Sequence, residues 1–201
     1  MPITSRRARP LDRTTAVRDA TLVVIATEGK ITEKIYFDIF QSTKVQVRTI
    51  VSEDNKSSPE HVLARLKEFR DTFELSDDDE LWLAIDRDRW TLKSLAEVGR
   101  RSQSDGFGVA LSNPCFEIWL LLHYSDSVPE KLKSSEAESL LKKARGSYNK
   151  SSYDPKDFVE KIPSAIINAR SLDANPSDRW PNKTGSRIYR IIESINSKSK
   201  L

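Results

Sequence analysis

Five consecutive apolar residues, Leu81-Trp82-Leu83-Ala84-Ile85, run without a polar break into Asp86-Arg87-Asp88. So short a run reads as a strand buried on both faces, and such strands belong to parallel sheets covered by helices on either side. Ligands of these sheets gather outside the carboxyl ends of the strands. The two aspartates therefore sit where function is expected, and paired oxygen ligands at one strand end suit a divalent cation. Residues two apart on a regular strand point to opposite faces, so Asp86 and Asp88 share a metal only if the chain turns at Arg87.

A second run, Leu22-Val-Val-Ile-Ala-Thr27, repeats the logic and ends in Glu28-Gly29. A third carboxylate thus leaves a second strand end. Carboxylates brought close together repel, and a metal relieves that repulsion. Taken alone, Asp86-Arg-Asp88 also reads as a solvated, salt-bridged turn, and Glu28 and Glu33 as acids near the positive end of a helix.

Around these runs strands and helices alternate. Thr32 predicts a cap for a helix over 33–41 with Ile35, Tyr36, Ile39 and Phe40 on its buried side, and 45–51 reads as a strand. Ser58-Pro59 starts a helix carrying Val62, Leu66, Phe69 and Phe73; a further helix is expected over 92–102 and a fourth strand over 106–111. The alternation predicts an α/β fold with a mostly parallel sheet and right-handed crossovers. From Pro114 onward the pattern is helical, with helices expected over 116–124, 135–145, 157–172 and 186–197. Ile188, Ile191, Ile192 and Ile195 make the last amphipathic. The expected organisation is an N-terminal arm over 1–19, an α/β core over 20–125 and a helical part over 126–201 packed on that core.

Composition narrows the function classes. The 33 basic and 30 acidic residues leave a formal charge of +3, an ordinary solvated surface that by itself does not indicate nucleic-acid binding. The local exception is the start of this arm, where Arg6, Arg7, Arg9 and Arg13 face only Asp12. It reads as a plain tail or as a contact for phosphates. A single cysteine, Cys115, excludes an internal disulfide framework and a thiolate zinc cluster. No apolar stretch approaches the roughly 20 residues needed to span a bilayer. The expectation is a soluble cytoplasmic protein without a membrane partner. No GxxxxGKS segment is present, so ATP hydrolysis would have to come from another chain.

Other residues carry two readings each. Ser112-Asn113-Pro114 predicts helix initiation, Asn113 capping and Pro114 in the first turn. Glu117 lies one turn into an otherwise apolar helix, where an unpaired carboxylate is costly, so it is expected to face the acidic cleft or a basic partner. His123 reads first as a satisfied structural residue. The loops 146–156 and 175–185 can each fold back over the acidic site.

The segments Glu28-Gly-Lys-Ile-Thr-Glu-Lys-Ile-Tyr-Phe37, Asp86-Arg-Asp88 and Ser112-Asn-Pro-Cys-Phe-Glu-Ile-Trp-Leu-Leu-Leu-His123 together resemble the RloB-like family, found beside an ATPase in bacterial defence and restriction loci. The resemblance spans residues 20 to 195. This family is similar to TOPRIM domains, so it implies a Rossmann-like TOPRIM-type fold with a helical C-terminal extension and a Mg²⁺- or Mn²⁺-dependent phosphoryl-transfer site. By position, Glu28, Asp86 and Asp88 match TOPRIM metal ligands. Glu33 resembles the second acid of the nuclease motif, five residues after Glu28 where those nucleases space the acids four apart. Ser112 and Glu117 resemble a serine and an acid of two-metal members.

Phosphoryl transfer also needs positive charge, for which Lys150 and Lys183 are the loop candidates. Trp90, Tyr148, Tyr153 and Trp180 are candidates for stacking on bases, whereas Trp82 is expected in the core. The implied activity is a nuclease on DNA or RNA, an effector of antiphage defence of the abortive-infection kind, working with a partner ATPase. The competing reading is a catalytically silent TOPRIM-like regulator of that ATPase that binds nucleic acid or nucleotide. A scaffold that only assembles through its helical tail gives no reason for the acids to converge. A homo-oligomer is compatible with the sequence and not demanded by it.

Overall fold

The computed structural model describes residues 20–52 and 56–200; the arm over 1–19, with Arg6, Arg7, Arg9 and Arg13, lies outside the described residues. A five-stranded sheet has the order β2-β1-β3-β4-β5 and comprises β1 Thr21–Thr27, β2 Val45–Ile50, β3 Glu80–Asp86, β4 Gly108–Asn113 and β5 Gly185–Ser186. The first four strands are parallel and β5 runs antiparallel to β4. The fold is α/β and Rossmann-like, as the alternation of elements predicts.

Strand periodicity divides the core in two. Val23, Ile25 and Ala84 point to one face, where they pack under helices α1 Thr32–Phe37, α4 Glu117–Leu121, α5 Ser134–Arg145, α6 Lys156–Val159, α7 Ile162–Leu172 and α8 Ile188–Lys200. Leu22, Val24, Ala26, Leu81, Leu83 and Ile85 point to the other, under α2 Pro59–Thr72 and α3 Leu92–Ser104. Both faces of β1 and β3 are thus sealed, which is why their sequences show no polar alternation. The chain passes from β1 out to β2 on one side and returns to β3 on the other. The crevice between the carboxyl ends of β1 and β3 is therefore the point where strand order reverses, the usual ligand site of such sheets.

Several local expectations change. Ser58 and Pro59 start α2 as expected, but α1 stops at Phe37, short of residue 41, and its N-cap is Ile31. The Thr32 hydroxyl donates instead to the Lys150 carbonyl, 3.1 Å away, which ties the 146–156 loop to α1. Asn113 ends β4 and caps nothing; its amide donates to the carbonyls of Pro181 (3.2 Å) and Lys183 (2.8 Å), and α4 begins only at Glu117. The expected 157–172 helix is broken into α6 and α7 around Glu160 and Lys161. Trp82 is half-buried at the edge of the core, its indole donating to Glu80 Oε2 at 2.7 Å.

The C-terminal part also enters the sheet through β5, two residues that no helical pattern announces. The guanidinium of Arg187, immediately after β5, is fully enclosed. Its Nη2 donates to Asp173 Oδ1 at 2.8 Å and to the Asn175 carbonyl at 3.1 Å, and Tyr189 donates to Asp173 Oδ2 at 2.9 Å. A buried charge needs such a partner, and this pairing fixes the loop before β5 against the sheet.

Candidate metal centre

Glu28 and Asp86 leave the adjacent strands β1 and β3 side by side, since Thr27 pairs in register with Ala84. The amide of Asp86 donates to Glu28 Oε2 at 2.9 Å, and the Trp90 indole donates to Glu28 Oε1. The bend demanded at Arg87 is present. Its amide donates to the carbonyls of Ser112 (2.9 Å) and Pro114 (3.0 Å), and the Asp88 amide donates to Pro114 at 3.1 Å. Leaving strand geometry there, the chain returns Asp88 to the same cavity as Asp86, where Ser134 donates to Asp88 Oδ2.

Two further acids arrive on helices. Glu33, in the first turn of α1, is buried and accepts from the Gly29 amide at 3.0 Å. Glycine leaves room for this carboxylate, because a Cβ on Gly29 would lie 2.0 Å from Glu33 Oε2 and push it aside. Glu117, on the first turn of α4, is buried and lies 3.0 Å from Lys150 Nζ, which also reaches Glu138 at 3.2 Å. Five carboxylates from separate parts of the chain, Glu28, Glu33, Asp86, Asp88 and Glu117, thus line one cavity of about 190 Å³ with Lys150 and Arg89.

Their proximity shows in their proton affinities. Burial, together with the charges of Asp88 and Glu33, raises Glu28 to about 7 despite its two hydrogen-bond donors. Glu33 rises to about 6 through burial and the nearby Glu117. Asp86 is held well above the usual carboxylate range by burial and then by Glu33, Glu28, Glu117 and Asp88. Burial works against the Lys150 ammonium, but Glu117 and Glu138 outweigh it and hold Lys150 above the ordinary lysine range. Perturbed groups clustered in a cleft at a switch point make this a candidate functional site.

The donor set, all carboxylate oxygen with hydroxyls behind, matches a hard cation such as Mg²⁺ or Mn²⁺. Glu28, Asp86 and Asp88 would hold such an ion, with Glu33 next to them. Among the described residues no group of three or more His, Cys, Asp or Glu side chains stands ready to hold a metal ion. The carboxylates of Glu28, Glu33, Asp88 and Glu117 are turned onto indole, amide, hydroxyl and ammonium donors, so binding a cation exchanges some of these partners for it.

The remaining candidates lie elsewhere. Lys183 is on the exposed surface, where its Nζ contacts Glu130 Oε1 at 2.5 Å. Ser112 faces Ser186 across the β4–β5 pair, the hydroxyl oxygens 2.8 Å apart. Tyr148 and Tyr153 are buried in the core beside Phe158 and offer no open ring to a base, whereas Trp180 is half-buried against the other apolar cluster. Aromatic area in a loop was spent on burial. His123 sits among Tyr36, Trp119 and Phe158, with Nδ1 2.9 Å from the Trp119 carbonyl and Nε2 3.1 Å from the Tyr36 hydroxyl. A carbonyl only accepts, so Nδ1 carries the proton and Tyr36 donates to Nε2.

Sequence reasoning did not foresee the roles of Gly29, Ser134 and Trp90 in orienting the acids. Only Gly29 left a signal, directly after Glu28; Ser134 is remote in sequence and became a partner through folding.

No curated protein and no solved structure matches the chain. The model of one family, described as RloB-like protein, matches residues 23–195, a span that holds every strand from Val23 onward and all five acids of the cavity. Sheet, site and family match agree, and the chain belongs to the RloB-like family.

Proposed function

We propose that this protein is a metal-dependent nuclease, hydrolysing phosphodiester bonds of DNA or RNA with Mg²⁺ or Mn²⁺, and that it serves as effector beside a partner ATPase in antiphage defence. The observation that carries this reading is the gathering of five carboxylates in one half-closed cavity at the β1/β3 switch point. Such a charge cluster is costly to fold unless something positive balances it. Asp86 and Asp88 hold the cation, with Glu33 as a further ligand and Glu28 either ligating it or serving as general base. A bound cation supplies Lewis-acid charge to a phosphoryl oxygen and acidifies a water. Glu28, raised to about 7, has the proton affinity of a general base near neutral pH. Lys150, tethered at Glu117, brings positive charge to the cavity wall for the developing negative charge on the phosphoryl group.

The test pairs calorimetric titration of Mg²⁺ and Mn²⁺ with cleavage of labelled single- and double-stranded DNA and RNA, for wild type and Asp86→Asn. Cleavage by wild type that falls about 100-fold or more in the variant, together with weaker metal binding, is the expected result. One observation favours a second reading, a catalytically silent TOPRIM-like regulator of the ATPase: every one of Glu28's oxygens is already held by a protein donor. Retained ATPase assembly and nucleic-acid binding, with no turnover in either metal, would select that reading.

A further inference from the structure

Beside the acid cavity runs a wider groove of about 630 Å³, between the edge strand β2 and helix α2. Among the described residues, Arg48, Lys56 and Arg65 line it with one acid, Glu68. The Arg48 guanidinium lies 5.1 Å from the centre of the Phe69 ring and 5.4 Å from that of Phe73. Arg65 donates through Nη1 to the Lys56 carbonyl at 2.9 Å and through Nη2 to the Thr27 carbonyl at 2.6 Å. Both guanidinium groups are thus positioned by neutral partners, rings in one case and carbonyls in the other, which hold a cation without cancelling its charge.

A separate observation points to a ligand. Ser52 lines the same groove, is only 2% exposed, and its Oγ has no hydrogen-bond partner. A buried hydroxyl left unpaired is unfavourable, and an acceptor oxygen entering the groove would relieve it. The groove also connects to the acids. Arg65 holds the carbonyl of Thr27, the residue before Glu28, and Lys56 in the groove is followed directly by Ser57 in the wall of the acid cavity.

We propose that this groove binds the phosphodiester backbone of a nucleic-acid strand and leads it into the acid cavity, with Arg48, Lys56 and Arg65 facing successive phosphates and the Ser52 hydroxyl donating to one of them. The second half of this statement rests on the nuclease reading above; backbone binding itself does not. The Phe69 and Phe73 rings are covered by Arg48, so the groove grips charge rather than bases and binds with little sequence preference. A guanidinium stacked on rings keeps its N–H edge free for a bidentate phosphate contact.

The test measures anisotropy of labelled single-stranded DNA, single-stranded RNA and duplex DNA with the full chain in EDTA, between 50 and 200 mM salt. Wild type is compared with Arg48→Glu/Lys56→Glu and with Lys142→Glu as a control at an exposed position on α5. The double variant is expected to bind about tenfold or more weakly with a salt slope shallower by about 1.4 to 1.8, since each of the two phosphate contacts contributes roughly 0.7 to 0.9 to the slope. Lys142→Glu should bind as wild type does. A circular-dichroism melt matching wild type shows that the double variant is folded, and Arg48→Gln alone, with a smaller loss in the same direction, serves as the milder variant. The three probes identify the strand preferred. Wild-type affinity and slope in the folded variants would overturn the proposal, as would binding of a nucleoside triphosphate with no binding of any strand. If wild type binds but never cuts, and the groove variants bind weakly, the nuclease reading falls and the groove stands; cutting that survives unchanged in groove variants that bind normally does the reverse.

Discussion

Glu28→Gln is expected to stabilise the metal-free protein at pH 8 and to leave it nearly unchanged at pH 4.5. Glu28 moves from 4.5 in the unfolded chain to about 7 in the folded one. The folded state therefore holds a proton that the unfolded state has already lost, and this contribution to stability falls as pH rises from about 4.5 through about 7. A displacement of this size corresponds to roughly 3 kcal/mol. Residual solvent at Glu28 and the loss of one acceptor to Asp86 or Trp90 reduce the expected gain of the glutamine variant to about 2 kcal/mol at pH 8. For a chain of this length that is a rise of about 4–8 °C in Tm.

The assay is thermal unfolding in EDTA at pH 4.5 and pH 8, read as the difference between variant and wild type. Reading a difference cancels His123, whose contribution runs in the opposite direction. Mg²⁺ should then reverse the order at pH 8, raising the wild-type Tm and leaving the variant's nearly fixed; a ligand at 100 times its Kd adds about 2.7 kcal/mol. An equal difference at both pH values, or a variant less stable than wild type at pH 8 in EDTA, would refute the claim that crowded, buried carboxylates strain the apo site.

Two further outcomes follow from the same geometry. Gly29→Ala should displace the Glu33 carboxylate, whose Oε2 lies 2.0 Å from the added Cβ position; metal affinity measured by calorimetry should drop while the far-ultraviolet dichroism stays unchanged. His123, lowered to about 4 by burial, contributes stability that is present above its unfolded value of 6.5 and lost as pH falls through about 4. Its ring protons in an NMR titration should show no protonation step near 6.5, and a midpoint there would contradict the enclosed, neutral imidazole.

Much of the fold could be read along the chain because β1 and β3 are sealed on both faces and so carry unbroken apolar runs. Ser58-Pro59 was equally plain, since a cap and a first-turn proline act within one turn of backbone. What escaped depended on partners far away. Two residues make β5, too few for any period, and they pair only because Arg187 and Asp173 anchor the loop ahead of them. Asn113 has the chemistry of a helix cap yet bonds to the 181–183 segment, and the break between α6 and α7 lies inside one continuous helical pattern.

The candidate site divides the same way. Sequence alone determined which strand ends carry Glu28, Asp86 and Asp88, because apolar continuity sets where a buried strand stops and polarity resumes. Only the tertiary structure decided that β1 and β3 are neighbours at the reversal of strand order, that α1 and α4 add Glu33 and Glu117 to the same space, and that Lys150 rather than Lys183 faces them. Local pattern reports a residue's exposure and direction along its own element. Which acids meet which cation is fixed by contacts between residues far apart in the chain, and those exist only once the sheet has closed.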